Sequence, residues 1–175
     1  MTARFSVRDA RPEDGAALAT IYNHYIRDTV ITFEINEVTD LDMTARVQKS
    51  RKAGLPWLVA EDDAVVLGYA YAGSFRERAA YDHTLETSIY LDTNTRARGV
   101  GTALFAELFA RLRHLAPGDS VHAPVHSLLG VIALPNDASV ALHERFGMRH
   151  VGTTSQVGWK FDRWIDVGYW QLELD

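Results

Sequence analysis

A strand-like run ending Ser88-Ile89-Tyr90-Leu91 is followed, four residues on, by Arg96-Ala97-Arg98-Gly99-Val100-Gly101 and then by an amphipathic run over 102–115. Strand, glycine turn and helix in that order aim several backbone N–H groups, at the positive end of a helix, into a turn with too little side chain to block an anion. The expected occupant is phosphorylated. R-x-x-G-x-G alone is weak evidence, because glycines ahead of a helix also serve as plain tight connections. The flanking strand and helix carry the inference, together with Arg96 and Arg98, which bring positive charge into a chain of net charge −5. A dinucleotide fingerprint would require a third glycine and an acidic residue about 20 residues on, and a P-loop would require Gly-Lys-Ser/Thr; neither is present.

The acidic balance argues against a nucleic-acid surface, which needs a concentrated basic face. Hydrophobic residues make up 47% of the chain, yet no apolar run approaches the roughly 20 residues of a membrane span. Arg4, Arg8 and Asp9 stand where a signal-peptide core would lie. A cytoplasmic protein without a membrane partner is expected. Zero cysteines exclude disulfides, thiolate catalysis and cysteine-bound metal, and agree with a reducing compartment. His114, His122 and His126 neither pair at i, i+4 on a predicted helix nor sit beside a carboxylate cluster, so no metal is expected. No linker-like stretch interrupts the chain, and a single domain over 1–175 is the simplest reading.

Phe5-Ser6-Val7-Arg8 alternates like a strand, and Leu18, Ile21, Tyr22, Tyr25 and Ile26 follow at the spacing of a helix with one buried stripe. A shorter helix is predicted over 41–53, with Thr39 and Asp42 as a capping box and Gly54 and Pro56 as its end. The runs 57–61 and 65–72 read as a hairpin turning at Asp62-Asp63. On the next strand, over 85–91, Glu86, Ser88 and Tyr90 share one face, and Leu85, Thr87, Ile89 and Leu91 the other. The helix after the glycine turn offers Leu104, Leu108, Phe109, Leu112 and Leu115 to a core and stops by Pro117-Gly118. A strand over 128–134 precedes a short helix capped by Asn136-Asp137 and ended by Gly147. Strands over 153–160 and 164–174 flank a turn at Asp162. The order β-α-α-β-β-β-α-β-α-β-β predicts an α/β (α+β) fold, a mixed sheet packed against helices.

Strand, R-x-x-G-x-G, helix, strand and an asparagine opening another helix resemble the acetyl-CoA site of the GNAT superfamily of N-acetyltransferases. Tyr22-Asn23-His24-Tyr25-Ile26, Pro56-Trp57-Leu58-Val59-Ala60-Glu61, Gly68-Tyr69-Ala70-Tyr71-Ala72-Gly73, Ala80-Tyr81, Leu134-Pro135-Asn136-Asp137 and Trp164-Ile165-Asp166-Val167-Gly168 resemble the phosphinothricin and methionine sulfone/sulfoximine acetyltransferase subfamily over nearly the whole chain. The resemblance implies the GNAT fold, with about seven strands and about four helices. It implies acetyl-CoA as co-substrate and a homodimer. It further implies that Arg96, Ala97, Arg98, Gly99, Val100, Gly101 and Thr102 wrap the pyrophosphate. Ile89, Tyr90 and Leu91 are implied to bond the pantetheine and acetyl carbonyl through backbone atoms, and Asn136 to contact the pantetheine arm.

Acyl transfer to an amine needs a base, a donor for the oxygen that gains charge, and a proton for the leaving thiolate. Glu86 is the expected base: it stands three residues before the thioester-binding stretch on the same strand and matches the family's catalytic glutamate. Partial burial would raise its pKa, and a water would extend its reach. His143 stands where many members of the superfamily carry a tyrosine acid, and a histidine with pKa near ~6.5 is chemically suited to the task; a packed helix histidine is the plain alternative. The backbone N–H of Tyr90 or Leu91 is the expected oxyanion donor. An amino-acid acceptor brings a carboxylate, which a bidentate arginine matches. Arg76 and Arg78 are the candidates, the resemblance favours Arg76, and Glu77, Thr87 and Ser88 are named with it. Phe33, Phe75, Tyr81 and Trp159 are candidate walls of an apolar slot, whereas Lys160 and Arg163 read as solvated. A polyamine, an aminoglycoside or a peptide N-terminus is the alternative acceptor; a polycation would want an acidic pocket mouth, which Arg76 and Arg78 oppose. A non-enzymatic acyl-CoA-binding module would leave Glu86 dispensable. The stretch 116–126 is longer than the family pattern, and reads as a surface loop or as a change to pocket access or dimer contact.

Overall fold

The computed structural model describes residues 5–95 and 99–174. Seven strands form one sheet: β1 (Ser6–Asp9), β2 (Trp57–Asp62), β3 (Val65–Ser74), β4 (Thr84–Leu91), β5 (Ser127–Leu134), β6 (Arg149–Lys160) and β7 (Arg163–Glu173), in the spatial order β1-β2-β3-β4-β5-β7-β6. Every neighbouring pair is antiparallel except β4 and β5, which run parallel. Four helices complete the expected order: α1 (Gly15–Asp28), α2 (Asp40–Lys52), α3 (Val100–Arg113) and α4 (Asp137–Arg145).

Local chemistry sets these boundaries. Thr39 and Asp42 form the predicted capping box, each satisfying a backbone N–H of the other's end of the turn. The β2–β3 hairpin turns one residue later than the sequence suggests, at Asp63 and Ala64, both with positive φ. A two-residue hairpin connection needs that left-handed pair to match strand twist, and Phe161 and Asp162 repeat it between β6 and β7. Asn136 caps α4 by accepting from the Ser139 N–H at 3.2 Å.

The helices cover both faces of the sheet. Leu18, Ile21, Tyr22 and Ile26 of α1, with Met43 and Val47 of α2, pack on Trp57, Val59 and Tyr69. On the other face Leu104, Phe105, Leu108, Phe109 and Leu112 of α3 pack on Leu58, Ala70, Leu85 and Leu128. Each fully buried side chain of this kind contributes about 1.5–3 kcal/mol. Leu115, expected in this stripe, lies past the helix end and only partly buried. The two cores hold β4 rigidly between them, with alternate side chains committed to opposite faces.

Candidate active site

β4 and β5 stay in register from Thr84↔Ser127 to Thr87↔Gly130, after which the pairing stops although the strands run on to Leu91 and Leu134. On the other edge of β4 the register with β3 is unbroken. There the Asp92 N–H donates to the Leu67 carbonyl at 2.9 Å, and the Phe75 N–H to the Thr84 carbonyl at 3.4 Å. Antiparallel bonding alternates, so the even-numbered residues of β4 turn their backbone to β3 while Ile89 and Leu91 turn theirs into the gap. The Tyr90 N–H therefore faces β3, so of the two expected oxyanion donors, Tyr90 and Leu91, strand parity turns only the Leu91 N–H toward the gap. Tyr25 of α1 reaches the gap: its hydroxyl donates to the Leu91 carbonyl at 2.7 Å and accepts from the Leu91 N–H at 3.2 Å. Sequence reading missed this contact because Tyr25 falls within α1's apolar stripe.

Around the gap, Gly99 precedes α3 with φ +70°, a left-handed conformation that favours glycine. Gly101 lies buried, where an added Cβ would sit 3.4–3.6 Å from Leu91, Leu142 and Ile89. Arg96, Ala97 and Arg98 lie outside the described residues. Thr102, in the first turn of α3, accepts at 3.3 Å from the Arg145 guanidinium, a cation at this helix end that no motif announced. Between β4 and α4 a cavity of about 460 Å³ is lined by Tyr25, Ile89, Leu91 and Asn136 among others. An extended arm bearing amides fits a strand edge that its neighbour strand has left, where a single hydroxyl, that of Tyr25, meets the Leu91 backbone, and a diphosphate fits a helix N-terminus beside it.

The split opens on the other face into a cavity of about 390 Å³ that contains Glu86, Ser88, Phe33, Glu34 and Tyr71. Ser88, Tyr90, Val131 and Ala133 line both this cavity and the narrow passage that runs past Ile89 and Asn136. Burial raises the Glu86 pKa above its ordinary 4.5, partly offset by the positive charge of Arg76. No hydrogen bond or ion pair among the described residues holds the carboxylate. Tyr22 and Arg46 fix Glu34 at the rim, the tyrosine hydroxyl at 2.9 Å and the guanidinium bidentately at 2.8 and 2.9 Å. Phe33 packs on the backbone of Gly158, where a Cβ would fall 2.3 Å from the ring.

The remaining acceptor candidates divide. Thr87 faces the α3 side and donates to the Leu129 carbonyl at 3.3 Å, so its side chain does not share the Glu86 cavity. Arg76 and Glu77 line an adjoining cavity of about 600 Å³, which shares Tyr71 with the first. The Arg76 guanidinium lies 4.9 Å from the Phe75 ring centroid, and Tyr81 meets Phe75 edge-on at 5.8 Å. Tyr81 thus supports Arg76 through Phe75, while Arg78 is exposed and lines neither cavity. Trp159 is exposed against Trp164 and away from the slot. Lys160 corrects the reading of a solvated residue: it is only 6% exposed and donates to the Thr32 carbonyl at 2.8 Å, tying β6 to the segment that lines the Glu86 cavity. Arg163 is exposed as read.

His143 is 3% exposed, edge-on to Phe105 at 5.0 Å, with its ring against the backbone of Gly130. Its Nδ1 lies 2.7 Å from the Ser139 carbonyl, an acceptor only, which assigns the proton to Nδ1 and leaves Nε2 a lone pair. Burial lowers its pKa, against the smaller effect of that hydrogen bond. A neutral imidazole in this tautomer is poorly suited to supply a proton from Nε2.

The model of the acetyltransferase (GNAT) domain family matches residues 7–168. The chain belongs to the GNAT acetyltransferase family. It is 38% identical, over 99% of its length and 98% of the relative's, to a phosphinothricin N-acetyltransferase of Streptomyces coelicolor. It is 35% identical to the L-methionine sulfoximine/L-methionine sulfone acetyltransferase of Pseudomonas aeruginosa, over 97% and 95% of the two chains. Among solved structures, a GNAT superfamily phosphinothricin acetyltransferase (Pat) from Sinorhizobium meliloti in complex with AcCoA superposes with a TM-score of 0.89 at 32% identity, covering 98% of this chain and 89% of that one. This GNAT acetyltransferase uses acetyl-CoA as co-substrate. Among its described residues no group of three or more His, Cys, Asp or Glu side chains could hold a metal, and no helix is long and apolar enough to cross a membrane.

Proposed function

We propose that this chain, as a single catalytic domain, acetylates the α-amine of a small amino-acid-like acceptor such as phosphinothricin, methionine sulfoximine or methionine sulfone, by direct attack in a ternary complex. The observation that carries the reading is Glu86: a half-buried carboxylate of raised pKa, unpaired among the described residues, in a cavity that meets the β4–β5 gap at Ser88. Carboxylate-bearing acceptors are favoured over polycations because Arg76, a guanidinium with no ion pair among the described residues, lines the adjoining cavity close enough to Glu86 to lower its pKa.

In this reading the acceptor ammonium gives a proton to Glu86, directly or through one water, and the freed amine forms the new C–N bond to the acetyl carbon as the C–S bond breaks. The backbone of Ile89, with that of Leu91 once the arm displaces the Tyr25 hydroxyl from it, holds the amide arm and the acyl oxygen, and Asn136 presents its Nδ2 to the same arm. Forming the C–N bond obliges the nitrogen to shed a second proton. Of the two protons it loses by way of Glu86, one passes to the departing thiolate to give the free thiol and the other to solvent, so the neutral His143 need not supply one and serves instead as a packed floor under Gly130. Arg76 receives the acceptor carboxylate. Gly99, Val100, Gly101 and Thr102, with Arg96, Ala97 and Arg98, form the diphosphate cradle. The family resemblance and the exposed aromatics Trp159, Phe161 and Trp164 support a homodimer, which sedimentation tests.

A thiol-release screen over phosphinothricin, methionine sulfone, methionine sulfoximine, spermidine, an aminoglycoside and a peptide N-terminus tests the acceptor. The amino-acid analogues should give the highest kcat/KM. A higher value for spermidine or the peptide overturns the acceptor assignment.

A further inference from the structure

The segment 116–126, longer than the family pattern, is tied down on both sides of the 600 Å³ cavity that holds Arg76. His122 is 6% exposed, with Nδ1 2.8 Å from the Asp82 carbonyl and Nε2 3.1 Å from the Ser74 hydroxyl. The carbonyl can only accept, so Nδ1 carries the proton and Nε2 accepts from Ser74; both ring nitrogens are used. Ser120, two residues earlier, donates to the Ala53 carbonyl at 2.6 Å, and a Cβ on Gly54 would fall 1.9 Å from the Asp119 carbonyl. Ser74 and Asp82 bound the loop that carries Arg76, and Ala53 ends α2 on the opposite wall; all three line the cavity.

We propose that His122 is a positioning residue for the acceptor, the keystone of a brace that fixes the loop 75–82, and with it Arg76, relative to Glu86. The physical basis is that the other ties of this exposed loop are local ring contacts, turn bonds among 75–82 and the Phe75 N–H bond to Thr84 at its base, with the His83 Nδ1 contact to the Pro124 carbonyl at 2.8 Å lying beyond its end. Its short 3₁₀ turn at Ala79–Tyr81 buries no residue, whereas His122 clamps both of its ends from a buried position. The brace reaches the acceptor side alone, since the cavity shares no lining residue with the cofactor gap. This proposal rests on the reading of Arg76 as the carboxylate partner.

The test compares His122→Ala with wild type using methionine sulfone and acetyl-CoA, together with amide hydrogen exchange across the whole chain. Losing two buried hydrogen bonds should raise the acceptor KM about tenfold while the acetyl-CoA KM and kcat stay within about twofold. Exchange should quicken in 75–82 and remain unchanged in β4 and α3. Equal rises in both KM values, or an unchanged acceptor KM, overturn the proposal. If His122→Ala does not accumulate as folded protein, Ser74→Ala removes only the Nε2 partner and should raise the acceptor KM about threefold. Failure of the acceptor reading looks different: wild type then releases no thiol with methionine sulfone, and unchanged exchange in 75–82 overturns the brace whatever the acceptor.

Discussion

Replacing Glu86 by Gln exchanges one carboxylate oxygen for an amide nitrogen at nearly constant volume, which separates two properties that mutation often confounds. A positioned general base contributes about 10²–10⁴ in rate, equivalent to roughly 2.7–5.4 kcal/mol of barrier. The variant's turnover should fall by that factor in a thiol-release assay at saturating methionine sulfone, while acetyl-CoA binding by calorimetry is unchanged. Stability should move the other way. Burial raises the folded-state pKa of Glu86, so the folded protein binds this proton more tightly than the unfolded chain. The resulting stability is present at low pH and is lost as pH rises from the unfolded value through the folded one. At pH 8 the wild type therefore carries a buried charge, only partly offset by Arg76, that Gln lacks, and the variant's Tm should equal or exceed the wild type's. The acid limb of kcat/KM should also lie above the ordinary glutamate value, and Arg76→Met, which removes the cation that lowers this pKa, should move the limb to higher pH. Turnover within threefold of wild type would refute Glu86 as base. A marked drop in Tm would show that the carboxylate has a stabilising partner.

Two further substitutions probe the frame around the site. Gly130→Ala places a Cβ 2.4 Å from Cδ2 of His143, whose ring is held by Phe105 and Ser139, so overpacking should cost about 1–3 kcal/mol and lower Tm by several degrees; an unchanged Tm would show that the histidine is free to move. Burial lowers the Lys160 pKa from its ordinary 10.5, so the cost of its charge is fully felt at pH 7 and is relieved as pH rises through the folded pKa. Wild type should then gain stability relative to Lys160→Met between neutral and alkaline pH, and a difference that stays constant in denaturant titrations would contradict that.

Much of this architecture was legible because single residues carried strong local signals. The capping box at Thr39 and Asp42, the Asn136 cap and the alternation along β4 each commit a few dihedrals or one face of a strand, and neighbours in sequence suffice to read them. Contacts between distant segments were not legible. That Lys160 lies beneath Thr32 depends on the β6–β7 hairpin meeting the α1–α2 connection 128 positions away, and a lysine beside a hairpin turn reads as solvated on every local rule. The role of Tyr25 was hidden in the same way, since a tyrosine at helical spacing serves an apolar stripe whether or not its hydroxyl reaches a strand end. Thr87 was misplaced for the opposite reason: family roles were carried over for a whole stretch, although strand parity separates it from Glu86 and Ser88.

That parity has an evolutionary consequence. Under the proposed function, alternate positions of one eight-residue strand answer to different molecules: Glu86 and Ser88 to whatever amine arrives, Ile89 and Leu91 to the common carrier. Selection for a new amine can therefore work on every second side chain while leaving untouched the main-chain edge that grips the carrier, because amino-acid replacement does not alter an amide. A scaffold with that division can diversify its clientele without relearning how to hold its acyl donor.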